Sequence, residues 1–243
     1  MSGIARLSRE ELLGLVPGSF TGRLDQEDVK AIIMACDSFW VRPKNAVPDV
    51  PHAELTAGDC SDGFVNLRIV LSYLNLCGLF ARQLVDLLRE HYQGKVDWVV
   101  GSHTAATGLS YAVADVLGAR WYTMSKNPDG SQSIGGVSIP AGAKVLGAEE
   151  LMTTSKTTIA VRNGVRANSP DAELIPFVPV IVHRPAPGEC GEVDGAKVLY
   201  LAHYDVQKWK PADCPLCAGG SPRLRPNVPD NWRQLVESMK ASV

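Results

Sequence analysis

Apolar residues repeat at the spacing of an α-helix in two places near the start of the chain. The first set follows Asp25, a residue type suited to capping a helix, and the second set is longer. The members are Val29, Ile32, Ile33 and Cys36, then Leu76, Leu79, Phe80, Leu84, Leu87 and Leu88. The spacing predicts two amphipathic helices. Residues 43–51 are rich in proline and residues 52–71 mix turn residues with apolar ones, which predicts an irregular segment followed by a strand pair.

From residue 96 onward the pattern changes to apolar runs that alternate with helical stretches. The apolar runs are residues 96–101, 119–124, 143–148 and 175–183. Helical spacing of Leu109, Val113, Val116 and Leu117 lies between the first two runs, a second helix is expected from Ser155, and a last one over residues 231–240. The alternation is typical of an α/β fold with a mostly parallel sheet flanked by helices. In such sheets, ligands bind at the carboxyl ends of the strands.

Composition fits one enzyme-sized core and disfavours polyanion partners. The chain has 243 residues, 45% of them hydrophobic, with a formal net charge of -2 and a pI near 6.2. That charge gives no general attraction to nucleic acid or to an acidic membrane surface, so any bound anion needs a local site. No apolar run approaches the roughly 18 residues of a membrane helix, and Glu10 and Glu11 interrupt the first turns. We therefore expect a cytoplasmic protein.

The stretch most informative about chemistry is residues 145–158, which read VLGAEELMTTSKTT. An apolar strand ends in two carboxylates, Glu149 and Glu150, and continues into a hydroxyl-rich turn that opens a helix. Such a turn presents N–H groups and hydroxyls to a phosphate at the positive end of the helix. The members of this predicted cradle are Thr153, Thr154, Ser155, Lys156 and Thr157. The alternative is a capped helix after an ordinary buried strand.

The two carboxylates have a role of their own in this interpretation. Glu149 and Glu150 can accept hydrogen bonds from the two hydroxyls of a ribose while a bound magnesium ion balances their charge. A second candidate anion site follows the run 96–101, where Ser102, His103 and Thr104 open the next helix. The alternative there is a simple strand-to-helix turn.

Residues 145–157 resemble the signature of the type I phosphoribosyltransferases. That signature has four apolar residues, two acids, two apolar residues and then Thr-Thr-Gly-x-Thr. Here Glu150 stands where the family usually has Asp, and Ser155 stands where it has Gly. The resemblance implies an enzyme that binds 5-phosphoribosyl 1-diphosphate with Mg²⁺. It assigns the ribose hydroxyls to Glu149 and Glu150, the 5′-phosphate to residues 153–157, and the diphosphate to residues 102–107 with Lys126.

Within this family the chain is similar to orotate phosphoribosyltransferases over residues 52–185. The segment Ala57-Gly58-Asp59-Cys60-Ser61 resembles the Ser-Gly-x-x-Ser core of the family's amino-terminal hood. The resemblance implies a division into N-terminal helices and hood over residues 1–95, a phosphoribosyltransferase core over 96–185, and a small C-terminal cysteine-containing extension over 186–243. It also implies a homodimer.

Two further segments carry the comparison with orotate phosphoribosyltransferases. Arg184 matches the arginine of the family's Asp-Arg pair, which meets the carboxylate of orotate, while His183 replaces the Asp. A guanidinium suits that role because its planar fork binds a carboxylate at two points. Residues 125–133 correspond to the mobile catalytic loop, and Lys126 is the one cation in them. The resemblance thus assigns catalysis to Glu149, Glu150 and Lys126, and base recognition to Thr153 and Arg184.

The six cysteines do not form a dense disulfide framework, and Cys214 and Cys217 alone share a motif spacing. Cys-x-x-Cys is half of a zinc site, and a full structural site needs four ligands. Cys190, His183 or His203 are the candidates that could complete it. A plain turn is the favoured interpretation, with zinc as the alternative.

The predicted reaction transfers ribose 5-phosphate from 5-phosphoribosyl 1-diphosphate to orotate, giving orotidine 5′-phosphate and diphosphate. Two alternatives stay open at this point. One is transfer to a purine or to uracil, from which a carboxylate-binding Arg184 would distinguish orotate. The other is a non-catalytic sensor of 5-phosphoribosyl 1-diphosphate, favoured by the scarcity of cations in residues 125–133.

Overall fold

A computed structural model describes residues 3–16, 18–103, 105–186 and 188–241. The helices of this part of the chain are α1 Arg9–Leu13, α2 Gln26–Ala35, α3 Leu67–Leu71, α4 Leu74–Arg89, α5 Ala105–Leu117, α6 Lys156–Asn168, α7 Pro215–Ala218 and α8 Pro229–Lys240. Among these described helices none is both long enough and apolar enough to span a bilayer.

The strands are short except for two near the middle of the sheet. They are β1 Phe39–Val41, β2 His52–Glu54, β3 Cys60–Ser61, β4 Gly63–Val65, β5 Trp98–Gly101, β6 Arg120–Thr123, β7 Ser125–Lys126, β8 Gln132–Ser133, β9 Lys144–Gly147, β10 Glu149–Met152, β11 Glu173–Leu174, β12 Phe177–His183, β13 Glu192–Val193, β14 Ala196–His203, β15 Lys208–Trp209 and β16 Arg223–Leu224.

The chain forms two compact units, each of which combines segments that are distant in sequence. The first unit comprises Met1–Ile32 and Val70–Tyr204, and the second comprises Ile33–Ile69 and Asp205–Val243. The division into residues 1–95, 96–185 and 186–243 stays a prediction. The expected helices are found: α2 begins directly after Asp25, whose carboxylate accepts from the Asp28 amide at 2.8 Å, and α4 covers the longer apolar repeat.

The first unit is built on parallel strands in the order β11-β9-β5-β6 and β10-β12-β14, with β13 antiparallel at the outer edge of β14. Ala148 alone separates β9 from β10, and its amide donates to the Val100 carbonyl at 2.9 Å. The Ile175 amide, between β11 and β12, donates to the Val145 carbonyl at 2.9 Å. The two ladders are therefore halves of one mostly parallel sheet, as the alternation of apolar runs predicts.

Helices cover both faces of this sheet. On one face, Val161 and Val165 of α6 pack against Trp98, Val100 and Val145. Because successive side chains of a strand point to opposite faces, the buried Val99 is directed to the other face, where α4 and α5 pack. The α/β expectation is confirmed, and the carboxyl ends of β5, β10 and β12 form the edge at which a ligand site is expected.

Residues 125–133 form an ordered β-hairpin. Strands β7 and β8 pair antiparallel, and the Asn127 amide donates to the Ser131 carbonyl at 2.9 Å. Asp129 accepts from the Ser131 amide at 2.9 Å, and Gly130 has a φ of +86°, so the tip is closed by its own hydrogen bonds. Gly164 of α6 allows the hairpin to approach, since a Cβ there would clash with the Gln132 carbonyl oxygen.

Helix α6 is tied to the β13–β14 hairpin through a charge cluster. Asp194 and Gly195 form its two-residue turn, with φ of +54° and +71°, as expected of an Asp-Gly type I′ turn. The Asp194 carboxylate accepts from Arg162 Nε at 2.7 Å and from Arg166 at 2.6 Å. Arg162 is buried and also donates to the Ile175 carbonyl at 3.2 Å. Asp194 therefore fixes the axis of the helix whose first turn carries the predicted phosphate cradle.

The second unit assembles a small sheet from both ends of the sequence. Its strand order is β15-β3-β2-β16, so the hairpin β2–β3 is flanked on each side by a C-terminal strand. Residues 52–71, in which a strand pair was expected, contain β2, β3 and β4 and end in the helix α3. The core is an apolar cluster that α8 completes, comprising Trp40, Ala53, Trp232, Leu235, Val236 and Met239.

We expect Asp194→Asn to lower the free energy of unfolding by about 1.5–3 kcal/mol, because it leaves the buried Arg162 guanidinium without its charged acceptor. Asparagine tolerates the left-handed backbone of this turn, so the change tests charge and not strain. The hydrogen bonds from Arg166 and Arg162 lower the pKa of Asp194. The difference between the two proteins should therefore be full above the ordinary carboxyl pKa and vanish in stronger acid.

Urea unfolding at several pH values measures this difference. Glu173→Gln is the matched control, because its ion pair with Lys144 is exposed and should contribute less than about 1 kcal/mol. Equal, small effects of both substitutions would contradict the anchoring role of Asp194.

Candidate active site

Strand β10 leads directly into the turn and helix that the sequence marks as a phosphate cradle. Glu149 and Glu150 open β10, residues 153–155 form the turn, and α6 begins at Lys156. The order of carboxylates, turn and helix is therefore as the sequence predicts. It results from a strand whose residues are buried or half-buried, followed by a turn in which Ser155 has left the extended conformation, with a φ of -73° and a ψ of -5°.

Glu149 is the most strongly perturbed carboxylate of the site. It is 4% exposed, and its Oε2 accepts from Ser102 Oγ at 2.7 Å. Burial, reinforced by the neighbouring Glu150, raises the pKa of Glu149 to about 8, against the opposing effect of the Ser102 hydrogen bond. Its Oε1 is buried without a hydrogen-bond partner among the described residues. A buried acceptor in this state is suited to a hydroxyl or a cation supplied by a ligand.

The turn between β5 and α5 provides the opposite wall. Ser102 is buried and contacts Glu149, while the exposed His103 donates its amide to Gln132 Oε1 at 3.4 Å. Gly101 lets the end of β5 approach α5, since a Cβ there would lie 2.7 Å from the Ala106 carbonyl oxygen. The structure thus brings Ser102 to Glu149 and His103 to Gln132, whereas Thr104 lies outside the described residues. Sequence reasoning missed Gln132, which carries no motif.

The predicted cradle is accessible at the first turn of α6. Thr153, Thr154, Lys156 and Thr157 are exposed, and Ser155 is half-buried. Helix α6 is 13 residues long, so its N-terminal N–H groups carry the positive end of a helix dipole. Hydroxyls, a lysine and free backbone donors at one helix end are the groups that bind a phosphate. The 5′-phosphate assignment of these residues stays a prediction.

Arg184 lies at the same edge of the sheet as Thr153. The register pairs Met152 with His183, and the Arg184 amide donates to the Met152 carbonyl at 2.9 Å. The Arg184 side chain is half-buried, and burial lowers the pKa of its guanidinium. Among the described residues no carboxylate pairs with it. A partly desolvated cation without a counter-charge is suited to bind an anionic ligand.

His183, next to Arg184, forms a chain of hydrogen bonds inside the unit. Its Nε2 lies 3.1 Å from the Glu189 carbonyl, which can only accept, so Nε2 carries the proton and Nδ1 accepts. His203 must then donate from its own Nδ1, 3.1 Å away. Burial, and next the His203 charge, lower the pKa of His183, so His183 is neutral at neutral pH. The replacement of the family's Asp by His183 thus removes a negative charge from beside Arg184.

Lys126 and the paired cysteines have different surroundings. Lys126 is exposed in β7, at the base of the hairpin, and is the one cation of residues 125–133. Cys214 and Cys217 lie in the second unit with His52 and Cys60, and the ligand atoms of the four lie within 4.8 Å of one another. The completing residues proposed from sequence, Cys190, His183 and His203, were therefore wrong. His52 and Cys60 lie more than 150 positions away in sequence and carry no spacing signal.

The donors at the carboxyl edge fit a magnesium ion. Carboxylate and hydroxyl oxygens are the ligands that Mg²⁺ prefers, and Glu149 offers a buried oxygen without a partner in the described structure. Mg²⁺ usually keeps several waters and binds through one or two carboxylates plus substrate phosphates. Glu149 and Glu150 are the residues that would hold it together with a phosphorylated ligand.

Comparison with known proteins finds relatives of the class that the sequence motif resembles, the phosphoribosyltransferases. No protein-family model matches the chain. The orotate phosphoribosyltransferase of Caldanaerobacter subterraneus subsp. tengcongensis is 27% identical over 176 residues, which are 72% of this chain and 87% of that protein. The crystal structure of Mycobacterium tuberculosis orotate phosphoribosyltransferase in complex with Fe(III) dicitrate matches with a TM-score of 0.53 at 18% identity, over 72% of this chain and 95% of that one.

A longer protein matches a larger share of the chain. The structure of Leishmania donovani UMP synthase matches with a TM-score of 0.54 at 14% identity, over 88% of this chain. The match spans 42% of the length of that protein. At such identities the structural matches establish the fold alone.

The sheet, the cradle and these likenesses confirm the type I phosphoribosyltransferase fold, with a hood and a cysteine-containing tail. The likeness in sequence confirms the expected resemblance to the type I phosphoribosyltransferases and supports the expectation of an enzyme that transfers a pentosyl group. Within that family it is similar to orotate phosphoribosyltransferases.

We expect Glu149→Gln to make the free energy of unfolding less sensitive to pH. Because the folded pKa of Glu149 is raised from 4.5 to about 8, the folded protein holds a proton that the unfolded chain releases over this range. The wild type should therefore lose stability as pH rises through the window, by up to about 1.4 kcal/mol per pH unit from this group. Glutamine is neutral throughout and removes this dependence.

Chemical denaturation of both proteins without ligand, from about pH 5 to about pH 8, measures the slope of the free energy of unfolding against pH. This range is set by the unfolded and folded pKa values of Glu149. Glu173→Gln, an exposed glutamate, should retain the wild-type slope. Parallel curves for wild type and Glu149→Gln would show that Glu149 is ionised at neutral pH.

Proposed function

We propose that the protein transfers ribose 5-phosphate from 5-phosphoribosyl 1-diphosphate to orotate, giving orotidine 5′-phosphate and diphosphate. The observation that carries this choice of base is the half-buried Arg184 guanidinium, which no carboxylate of the described residues neutralises. Orotate brings a carboxylate, whereas uracil and the purine bases do not. The names of the relatives, which are orotate phosphoribosyltransferases, support the same choice.

The base would lie at the edge formed by β10 and β12. Thr153 follows β10 and Arg184 follows β12, and the parallel register holds their backbones side by side. Arg184 can bind the planar carboxylate at two points, and the Thr153 hydroxyl can meet a polar edge of the ring. The neutral His183 beside Arg184 leaves the guanidinium charge available to the ligand.

The ribose and its phosphates would lie along β10 and the first turn of α6. Glu149 and Glu150 accept from the ribose hydroxyls, and Thr153, Thr154, Ser155, Lys156 and Thr157 bind the 5′-phosphate. Ser102, His103 and Thr104, with Lys126, face the diphosphate. Mg²⁺, when bound with the diphosphate, neutralises part of its charge.

Transfer in this arrangement needs no protein nucleophile. The residues hold the anomeric carbon between the base and the leaving diphosphate, so that positioning supplies much of the rate. Glu149 and Glu150 fix the ribose while positive charge develops at its ring, and a carboxylate nearby favours that charge. Lys126 stabilises the charge gathered on diphosphate. Because it is the one cation of its hairpin, we expect turnover to depend strongly on it.

The homodimer and the cytoplasmic location stay predictions.

The ribose assignment predicts that the double substitution Glu149→Gln and Glu150→Gln weakens 5-phosphoribosyl 1-diphosphate binding while the fold is retained. Each lost charge-assisted hydrogen bond should cost about 1.5–3 kcal/mol. Calorimetric titration in the presence of Mg²⁺ measures the affinity, and circular dichroism checks the fold. Unchanged affinity would rule out the assignment of these carboxylates.

Base recognition is tested by Arg184→Lys, which keeps the charge but loses the planar fork. Orotate should lose about 1.5–3 kcal/mol of binding, while 5-phosphoribosyl 1-diphosphate should be barely affected. Diphosphate release is measured with orotate, uracil, adenine, guanine and hypoxanthine. Uracil should be a poor substrate of the wild type and should not become worse in the variant.

Arg120→Lys is the matched control. Arg120 begins β6, at the amino edge of the parallel sheet, and its guanidinium lies 4.1 Å from the Trp98 ring centre. The Arg120→Lys variant should release diphosphate with the five bases in the same proportions as the wild type. Equal losses for orotate and 5-phosphoribosyl 1-diphosphate in Arg184→Lys would make Arg184 structural. Binding of 5-phosphoribosyl 1-diphosphate without turnover of any of the five bases would contradict the orotate proposal and favour the non-catalytic sensor.

A further inference from the structure

Four side chains of metal-binding type converge in the second unit, and none of them is assigned to the reaction. His52 opens β2, Cys60 opens β3, and Cys214 and Cys217 stand before and within the short helix α7. Their ligand atoms all lie within 4.8 Å of one another. His52, Cys60 and Cys214 are buried, and Cys217 is half-buried. Three thiols and an imidazole in one small volume form a donor set that selects a soft or borderline metal.

Three of the six distances among the ligand atoms are those expected of a tetrahedron around one ion, and all six are within 4.8 Å. Zinc binds sulfur at about 2.3 Å and histidine nitrogen at about 2.0–2.1 Å, which places neighbouring sulfurs about 3.8 Å apart and a sulfur about 3.5 Å from the nitrogen. Cys60 Sγ lies 3.6 Å from Cys217 Sγ. His52 Nε2 lies 3.4 Å from Cys217 Sγ and 3.8 Å from Cys214 Sγ.

Hydrogen bonds behind His52 select the tautomer that can bind a metal. The Ser221 hydroxyl donates its proton to the Val50 carbonyl at 2.7 Å. Ser221 Oγ can then only accept from His52 Nδ1, which lies 2.8 Å away, so the proton of the imidazole is on Nδ1. The lone pair of Nε2 is thereby directed at the thiols. Metal-binding histidines are oriented in this way by a partner of the other ring nitrogen.

The backbone around Cys214 and Cys217 is arranged to stabilise a thiolate. The Cys217 amide donates to Cys214 Sγ at 3.5 Å, across the first turn of α7. An N–H group directed at sulfur favours the thiolate, which is the form that binds metal. Pro215 opens the turn, where its fixed φ suits the first position of a helix.

We propose that His52, Cys60, Cys214 and Cys217 bind one Zn²⁺ ion in a closed, structural site. With four protein ligands there is no open position for a substrate or for water, so the ion supplies stability and no chemistry. It joins the β2–β3 hairpin to residues 214–217, which are far away in sequence. Such a clip restricts the unfolded chain over a long loop, which is where a cross-link is most effective.

A disulfide is the competing use of the same sulfurs. Cys60 and Cys217 could form one only by moving closer, because bonded sulfurs are about 2.05 Å apart and these are 3.6 Å apart. A disulfide would also leave His52 and Cys214 without a function, although the Ser221 hydrogen bond orients His52 toward the sulfurs.

Metal analysis of the full chain, purified without chelators, tests the site. We expect about one zinc ion per chain, and after exchange with Co²⁺ an absorption spectrum of tetrahedral thiolate coordination. Cys60→Ser and His52→Ala should lose the bound metal or hold it far more weakly. Cys77→Ala is the matched control, because it removes a buried thiol outside the cluster and should retain the full metal content.

Ser221→Ala keeps the test decisive if the ligand variants do not fold. It leaves all four ligands in place and removes only the group that orients His52, so zinc affinity should fall about 10- to 100-fold in competition with a chromophoric chelator. The overturning result is metal-free, folded wild type that takes up neither Zn²⁺ nor Co²⁺ when reduced. A mass two units lower than that of the reduced chain would then identify the disulfide. Binding of 5-phosphoribosyl 1-diphosphate is measured separately, so this result leaves the proposed reaction untouched.

Discussion

The parallel pairing of β10 with β12 is the constraint on which the site depends. Parallel strands in register end at the same edge, so fixing Met152 opposite His183 also fixes the backbones that follow. One of them turns into α6, whose first turn is the predicted phosphate cradle, and the other carries Arg184. Two groups 31 positions apart in sequence, Thr153 and Arg184, thus become neighbours through backbone pairing. The anchor of α6 through Arg162 and Asp194 keeps that helix in line with the strand before it.

Glu149 shows what the site demands of the fold. A carboxylate that is 4% exposed and lies beside a second carboxylate lowers the stability of the folded protein when it is ionised. The raised pKa of Glu149 reflects this cost. Local rules of folding are commonly violated at functional positions, where a ligand supplies the missing partner. Ser102 relieves one carboxylate oxygen and leaves the other for a ligand. In the proposed reaction, the bound ligand would supply the partner of this oxygen.

Hydrophobic periodicity predicted the elements that bury apolar residues. Helices α2, α4, α6 and α8 and the strands β5, β9 and β12 follow from period and run length alone, and the cradle follows from residues adjacent in sequence. Gln132 could not be predicted, because its place beside His103 depends on a hairpin docking where Gly164 leaves room. The hairpin itself was expected as a loop, since its closure rests on the side chain of Asp129 and a left-handed Gly130.

The cysteine cluster marks the limit of sequence reasoning in this chain. The spacing of Cys214 and Cys217 indicates half of a metal site. His52 and Cys60 are brought to these cysteines only by the strand order β15-β3-β2-β16. The assignment of the other half to Cys190, His183 and His203 failed for this reason. Pairing between strands distant in sequence is decided by the packing of a whole unit, which no local pattern encodes.

That strand order also determines when the second unit can form as the protein is made. Both neighbours of the β2–β3 hairpin, β15 and β16, are synthesised only after all the strands of the first unit's parallel sheet. Until then each edge of the hairpin presents unpaired backbone groups, which are templates for pairing with other chains. The parallel sheet of the first unit is synthesised before these edges can be covered, so a nascent chain must be kept from aggregating through the hairpin until β15 and β16 have been made.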